Sequence, residues 1–205
     1  MKKIFLLLLA TLFSASITAQ SGRRIKTPPP PAPTEPAVVV APSVPQLNRQ
    51  PSATGGLLVL PQRFLNRQIQ SLDSGSLRLA DYDDKVIVVN LWATWCGPCR
   101  MEVPDYEQVR KEYVGRSVEF IALTTEDPNT SSDRVKKFVR NFNFGFRQGW
   151  ADRETAVTLM NGRNALPQTI VIAPGGRIVA HWAGYARGRS GDRLREAVEH
   201  ALIED

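Results

Sequence analysis

Cysteine is nearly absent from this chain. Of 205 residues only two are cysteine, Cys96 and Cys99. That excludes a wider disulfide framework, and with no cysteine near residue 19 it excludes a lipoprotein anchor. Histidine is equally scarce. His181 and His200 stand nineteen positions apart, without the spacing of a zinc pair and without a second Cys pair to complete a site, so no metal is expected. No apolar run after the first 20 residues is long enough to span a membrane. The body also lacks charge of one sign. The formal charge is +6, but residues 56–205 hold 20 Lys/Arg against 19 Asp/Glu. The excess lies at Lys2, Lys3, Arg23, Arg24, Lys26 and Arg49, offset by Glu35. A near-neutral body with a basic leader excludes the electrostatic footprint of a nucleic-acid binder.

What is present divides the chain into three. Residues 1–20 have the form of a secretory signal: Lys2 and Lys3, an apolar run from Ile4 to Phe13, then the small-residue stretch Ser14 to Ala19. The sixteen residues from Ile4 to Ala19 would make about 24 Å of helix, short of the roughly 30 Å hydrocarbon core. Cleavage after Ala19 is therefore expected. The basic cluster that follows keeps an uncleaved anchor as the second reading. Either way the protein is expected to be extracytoplasmic. Residues 21–55 are expected to be a Pro-rich disordered linker. Its stretch 27–51 holds nine of the fifteen prolines, including Pro28 to Pro31. Such composition favours extended polyproline II, and at about 3.1 Å per residue it could reach on the order of 70–80 Å.

Residues 56–205 form the folded domain. Val86 to Trp92 is a continuous apolar, β-branched run, as in a strand buried on both faces. Val118 to Leu123 is a second such strand, and Ser76 to Leu79 a short one. Apolar residues at helical spacing mark a helix from about Cys99 to Tyr113. A second helix is predicted from Asp133 to Phe142, capped by Ser132 or Asp133. A short helix is expected near 153–161, and Ser190 to Ile203 closes the chain as an amphipathic helix. Thr169 to Ala173, Pro174-Gly175-Gly176 and Arg177 to Trp182 read as a β-hairpin. This order predicts an α/β layer fold around a mixed sheet.

Cys96-Gly97-Pro98-Cys99 lies just after the buried strand and opens the next helix. A helix N-terminus offers unpaired N–H groups and partial positive charge, and both stabilise a thiolate. Cys96 is therefore the expected nucleophile, and Cys99 the thiol that resolves the mixed disulfide. A purely structural disulfide would close too small a loop to stabilise much. Haem attachment would need His where Arg100 stands.

The segment Val88-Val89-Asn90-Leu91-Trp92-Ala93-Thr94-Trp95-Cys96-Gly97-Pro98-Cys99-Arg100-Met101-Glu102-Val103-Pro104 closely resembles the active-site block of TlpA/ResA-like thioredoxins, which are extracytoplasmic thiol–disulfide oxidoreductases. The resemblance covers roughly residues 60–205. It implies a thioredoxin fold with a short N-terminal β extension and no cofactor beyond the Cys96–Cys99 pair. In cytoplasmic thioredoxins a buried Asp usually stands where this chain has Asn90. In the TlpA/ResA-like group a Glu three residues after the second Cys takes its place, and Glu102 matches it. Glu102 is thus expected to manage the proton of Cys99. Leu166-Pro167 matches the cis-proline loop, and Trp95, Gly97, Pro98, Leu166 and Pro167 are the implied substrate-binding residues. The lead-in Asn161-Gly162-Arg163-Asn164-Ala165 departs from the Tyr-x-Val-x-Gly kind of approach, which leaves substrate choice open. Pro104, a feature shared with the group, should kink the helix or break its bonding.

The implied partners are a protein bearing a disulfide or thiols, and a membrane electron donor for re-reduction. Cytochrome c maturation is a common task in the group. Gly97-Pro98 is also the dipeptide of reducing thioredoxins, so a reductase is the leading expectation. Three other functions compete: a disulfide-inserting oxidant, a thiol peroxidase and a binding module on a stalk. Ala93 and Trp95 stand where a peroxidase would carry its signature, which argues against the second. Nothing in the sequence demands a dimer.

Overall fold

The computed structural model describes residues 59–203, and the expected signal and Pro-rich linker lie outside them. Among the described residues no helix is long and apolar enough to cross a membrane. The elements in chain order are α1 (Gln62–Leu65), β1 (Ile69–Gln70), β2 (Ser76–Leu77), a 3₁₀ turn (Leu79–Tyr82), β3 (Val86–Trp92), α2 (Gly97–Glu112), β4 (Val118–Thr124), α3 (Pro128–Asn141), β5 (Arg147–Trp150), α4 (Arg153–Met160), β6 (Gln168–Ala173), β7 (Arg177–Ala183) and α5 (Ser190–Ile203).

The main sheet has the order β5-β4-β3-β6-β7. β3, β4 and β5 run parallel, while β6 is antiparallel to β3 and β7 antiparallel to β6. All seven residues of β3 are buried, because both faces of this central strand are covered. Alternation along β3 sends Val86, Val88 and Trp92 into one core with residues of α2, α3 and α5. Ile87, Val89 and Leu91 face a second core with α1, α4 and the N-terminal hairpin. Asn90 shares the parity of Val88 and Trp92 and so points a polar side chain toward α2. Its register partner on β6 is Thr169.

Two expectations need correction. α3 begins at Pro128, not near residue 133, and its cap is Asp127, whose Oδ1 accepts the Asn129 N–H at 2.8 Å. An acidic cap followed by Pro at the first helical position is a strong start signal. The early turns hide it, since Asn129 to Asp133 carry no apolar residue. The short strand also ends at Leu77, and Leu79 opens the 3₁₀ turn. Pro104 sits inside α2 without ending it.

β1 and β2 form the N-terminal extension, and this hairpin lies close against β5. Gly149 permits the approach. A Cβ there would stand 2.9 Å from Leu123 Cδ2 and 3.1 Å from the Gln70 carbonyl oxygen. A backbone neighbour cannot rotate away, so Gly149→Ala is expected to destabilise the fold by about 1–3 kcal/mol. A lowered urea midpoint with unchanged slope would show it; an unmoved midpoint would mean that the hairpin is loosely held.

Candidate active site

β3 ends at Trp92, and the next turn delivers Cys96 to the N-cap of α2. The Cys99 backbone N–H donates to Cys96 Sγ at 3.1 Å. Pro98, at the second helical position, has no N–H to offer. The two cysteines are joined in a disulfide, with Cα atoms 5.3 Å apart. Cys96 is 4% exposed and Cys99 1%. Gly97 and Pro98 are exposed between them, and Trp95 stands 68% exposed beside Cys96. Trp92, by contrast, is a core residue against Phe138, with ring centroids 4.6 Å apart.

Beneath the pair lies a polar pocket inside an apolar core. Glu102, one turn along α2 from Cys99, is 2% exposed rather than solvated. Its Oε2 accepts from Asn90 Nδ2 at 2.8 Å, while Oε1 has no hydrogen-bond partner. Asn90 Nδ2 also lies 3.3 Å from Thr169 Oγ1, and Tyr106 shares a 2.9 Å hydroxyl bond with the same oxygen. Burial pushes the Glu102 carboxyl up to about 8, against the pull of Asn90 and of the Tyr106 hydroxyl. Near neutrality this group can therefore hold or release a proton one helical turn from Cys99.

The loop before Cys96 is fixed from the side by Arg100 and by two residues that no sequence pattern pointed to, Glu126 and Arg134. The Thr94 N–H donates to Glu126 Oε1 at 2.6 Å. Arg134 Nε reaches Thr94 Oγ1 at 3.0 Å, and its guanidinium pairs with Glu126 Oε2. Arg100 donates to the Thr94 carbonyl through Nε at 3.0 Å and through a terminal nitrogen at 2.7 Å. Burial alone would raise the Glu126 carboxyl, but the hydrogen bonds from Thr94 and Arg134 outweigh it and hold the group below its ordinary range. The one available sign was position: Glu126 follows β4, at the carboxyl end of a parallel strand, where α/β sheets build their sites.

Leu166-Pro167 immediately precedes β6, and its peptide bond is cis. Pairing of β6 with β3 brings this loop to the end of the sheet that carries Cys96. Leu166 is half-buried and packs against both cores, whereas Pro167 is buried. Gln168 ties the loop down: its Nε2 donates to the Ala165 carbonyl at 2.9 Å, and its Oε1 pairs with His181 Nε2 at 2.8 Å. His181 is thus a structural partner of this loop. The structure brings Trp95, Cys96, Gly97, Pro98, Cys99 and Glu102 together at the start of α2 and places Leu166 and Pro167 at the same sheet end.

Comparison with known proteins follows the same lines. The profile of the AhpC/TSA family matches residues 61–181. A thiol-disulfide oxidoreductase ResA from Halalkalibacterium halodurans is 30% identical over 118 residues, covering 58% of this chain and 65% of that protein. ResA from Geobacillus thermodenitrificans is 31% identical over 110 residues, covering 54% and 61%. The match therefore spans somewhat less than two thirds of these relatives. Among solved structures, a putative thiol:disulfide interchange protein DsbE from Chlorobium tepidum superposes with a TM-score of 0.58 at 20% identity, over 66% of this chain and 92% of that one. A secreted Mycobacterium tuberculosis disulfide oxidoreductase gives 0.57 at 18% identity, over 68% and 99%. The fold is that of the thioredoxins.

Proposed function

This chain belongs to the AhpC/TSA family, and from that premise we propose that it is a thiol–disulfide oxidoreductase that reduces disulfides in partner proteins outside the cytosol. One observation carries the reading: two cysteines separated by two residues, with Cys96 at a helix N-cap where the Cys99 N–H donates to its sulfur. That donor and the helix dipole favour the thiolate over the thiol.

The steps conserve electrons. Cys96 thiolate attacks one sulfur of a substrate disulfide, and the other substrate sulfur leaves as a thiolate. Cys99 then loses its proton and attacks Cys96 Sγ, which breaks the mixed disulfide and releases the second substrate thiol. The substrate gains two electrons, and the protein is left with the Cys96–Cys99 disulfide. Glu102 is the group placed to take the Cys99 proton. Trp95, Gly97, Pro98, Leu166 and Pro167 form the rim on which the substrate lies. An extracytoplasmic reductase must be recharged, which implies a membrane electron donor. Cytochrome c maturation is the task that the resemblance to TlpA/ResA-like thioredoxins supports.

The reduction potential of the pair, measured by equilibration against a dithiothreitol or glutathione series, tests the direction. A value near about −270 mV, the thioredoxin level, is expected of a reductant. A value near about −120 mV would make the protein an inserter of disulfides and would overturn the reductase reading.

A further inference from the structure

We propose that the groove beside Trp95 selects the substrate, and that it receives an acidic segment carrying an aromatic or aliphatic side chain next to the substrate's disulfide. This rests on the thiol–disulfide reading above and names the class of protein that the site accepts. The groove is a cavity of about 510 Å³ lined by Trp95, Arg100, Arg134, Lys137, Phe138 and Phe142, with Thr94 and Asn141.

Its lining holds three cations and no carboxylate. Glu126, which binds two of the lining residues, is already occupied by the Thr94 N–H and by Arg134. Arg100 donates through two of its nitrogens to the neutral Thr94 carbonyl, which leaves its charge uncompensated. Among the described residues neither Arg100 nor Lys137 has an ion-pair partner. A positive wall of this kind meets a negative segment favourably and a positive one unfavourably.

The apolar part of the groove is equally specific. Trp95 keeps a large ring in water beside the reactive sulfur. Phe142 stacks on Phe138 with centroids 4.4 Å apart and extends the apolar floor. Trp95 adjoins Cys96 in the chain. At about 3.3–3.6 Å per residue, the positions one to three removed from a substrate cysteine bonded to Cys96 can reach this groove.

The test uses the reduced full-length protein and three disulfides. Two are cystine peptides of equal length, one with Asp and Glu around a Phe beside the disulfide and one with Lys in their place. The third is uncharged hydroxyethyl disulfide. Second-order exchange rate constants are measured at low and high salt. The acidic peptide should react about tenfold faster than the basic one, and the preference should shrink at ~1 M salt. Lys137→Glu should lower the acidic-to-basic ratio at least about fivefold. The ratio is internal to each protein, so a partly unfolded variant does not move it. Equal rates for the two peptides, or a ratio untouched by Lys137→Glu, would overturn the proposal while exchange with hydroxyethyl disulfide upheld the chemistry. Failure to exchange with hydroxyethyl disulfide would instead remove the oxidoreductase reading itself.

Discussion

Cys96→Ser is expected to lower exchange with any disulfide by at least about 10³-fold, because the remaining thiol, Cys99, lies inside the helix and off its N-cap. Cys99→Ser should behave differently. Cys96 remains at the helix N-cap, still able to attack, but the mixed disulfide it forms has no resolving partner. The variant should accumulate a covalent adduct with a cystine peptide, visible as a mass increase that dithiothreitol removes. The asymmetry follows from the backbone: Cys96 caps the helix from outside its first turn, while Cys99 lies inside that turn. An adduct on Cys96→Ser and none on Cys99→Ser would reverse the assigned roles.

Glu102 should make the largest pH-dependent contribution to stability. Its carboxyl titrates near 4.5 in an unfolded chain and at about 8 in the fold. Between those values the folded protein holds a proton that the unfolded chain has released. The group's contribution is therefore most favourable below pH 4.5 and declines as pH rises toward 8. Across the whole titration the decline amounts to about 5 kcal/mol at roughly 1.36 kcal/mol per pKa unit. Glu102→Gln removes the titration and keeps the shape. Urea unfolding of both proteins at pH 5 and pH 8 should show the stability difference shifting by about 3–4 kcal/mol in favour of the variant at pH 8. A difference that does not change with pH would mean that water reaches the carboxyl. The same variant should slow resolution of the mixed disulfide by about 10²-fold, since Cys99 loses its proton acceptor.

The features that were legible in the sequence are those written locally. β3 and β4 announce themselves because a strand covered on both faces needs unbroken apolar residues. The Cys pair declares itself by spacing and by its place between such a strand and a helix. Other features depend on distant residues meeting. β5, Arg147–Trp150, shows no alternation because its pairing comes from β4 and from the hairpin closing over Gly149. Glu126 lies 32 positions from Thr94, whose N–H it accepts, and nothing near either residue marks the bond. Glu102 falls between the two cases. Helical spacing places it by Cys99, but only the β3–β6 register, which sets Asn90 against Thr169, shows why the carboxyl is held in a buried polar pocket.

The central position of β3 also governs which motions the sulfurs can feel. Hydrogen-bonded strands hold β3 on both sides, whereas β5 and β7 are the outer strands of the sheet, met otherwise by isolated bridges at Gly149 and Arg177. Edge strands open in small, frequent excursions, while a strand paired on both sides exchanges its amide hydrogens only when most of the domain opens. The chain that presents Cys96 is spliced directly to that slow-exchanging strand. Breathing at the sheet margins can therefore reshape the outer surface for different partners while the reacting pair stays on a fixed mount.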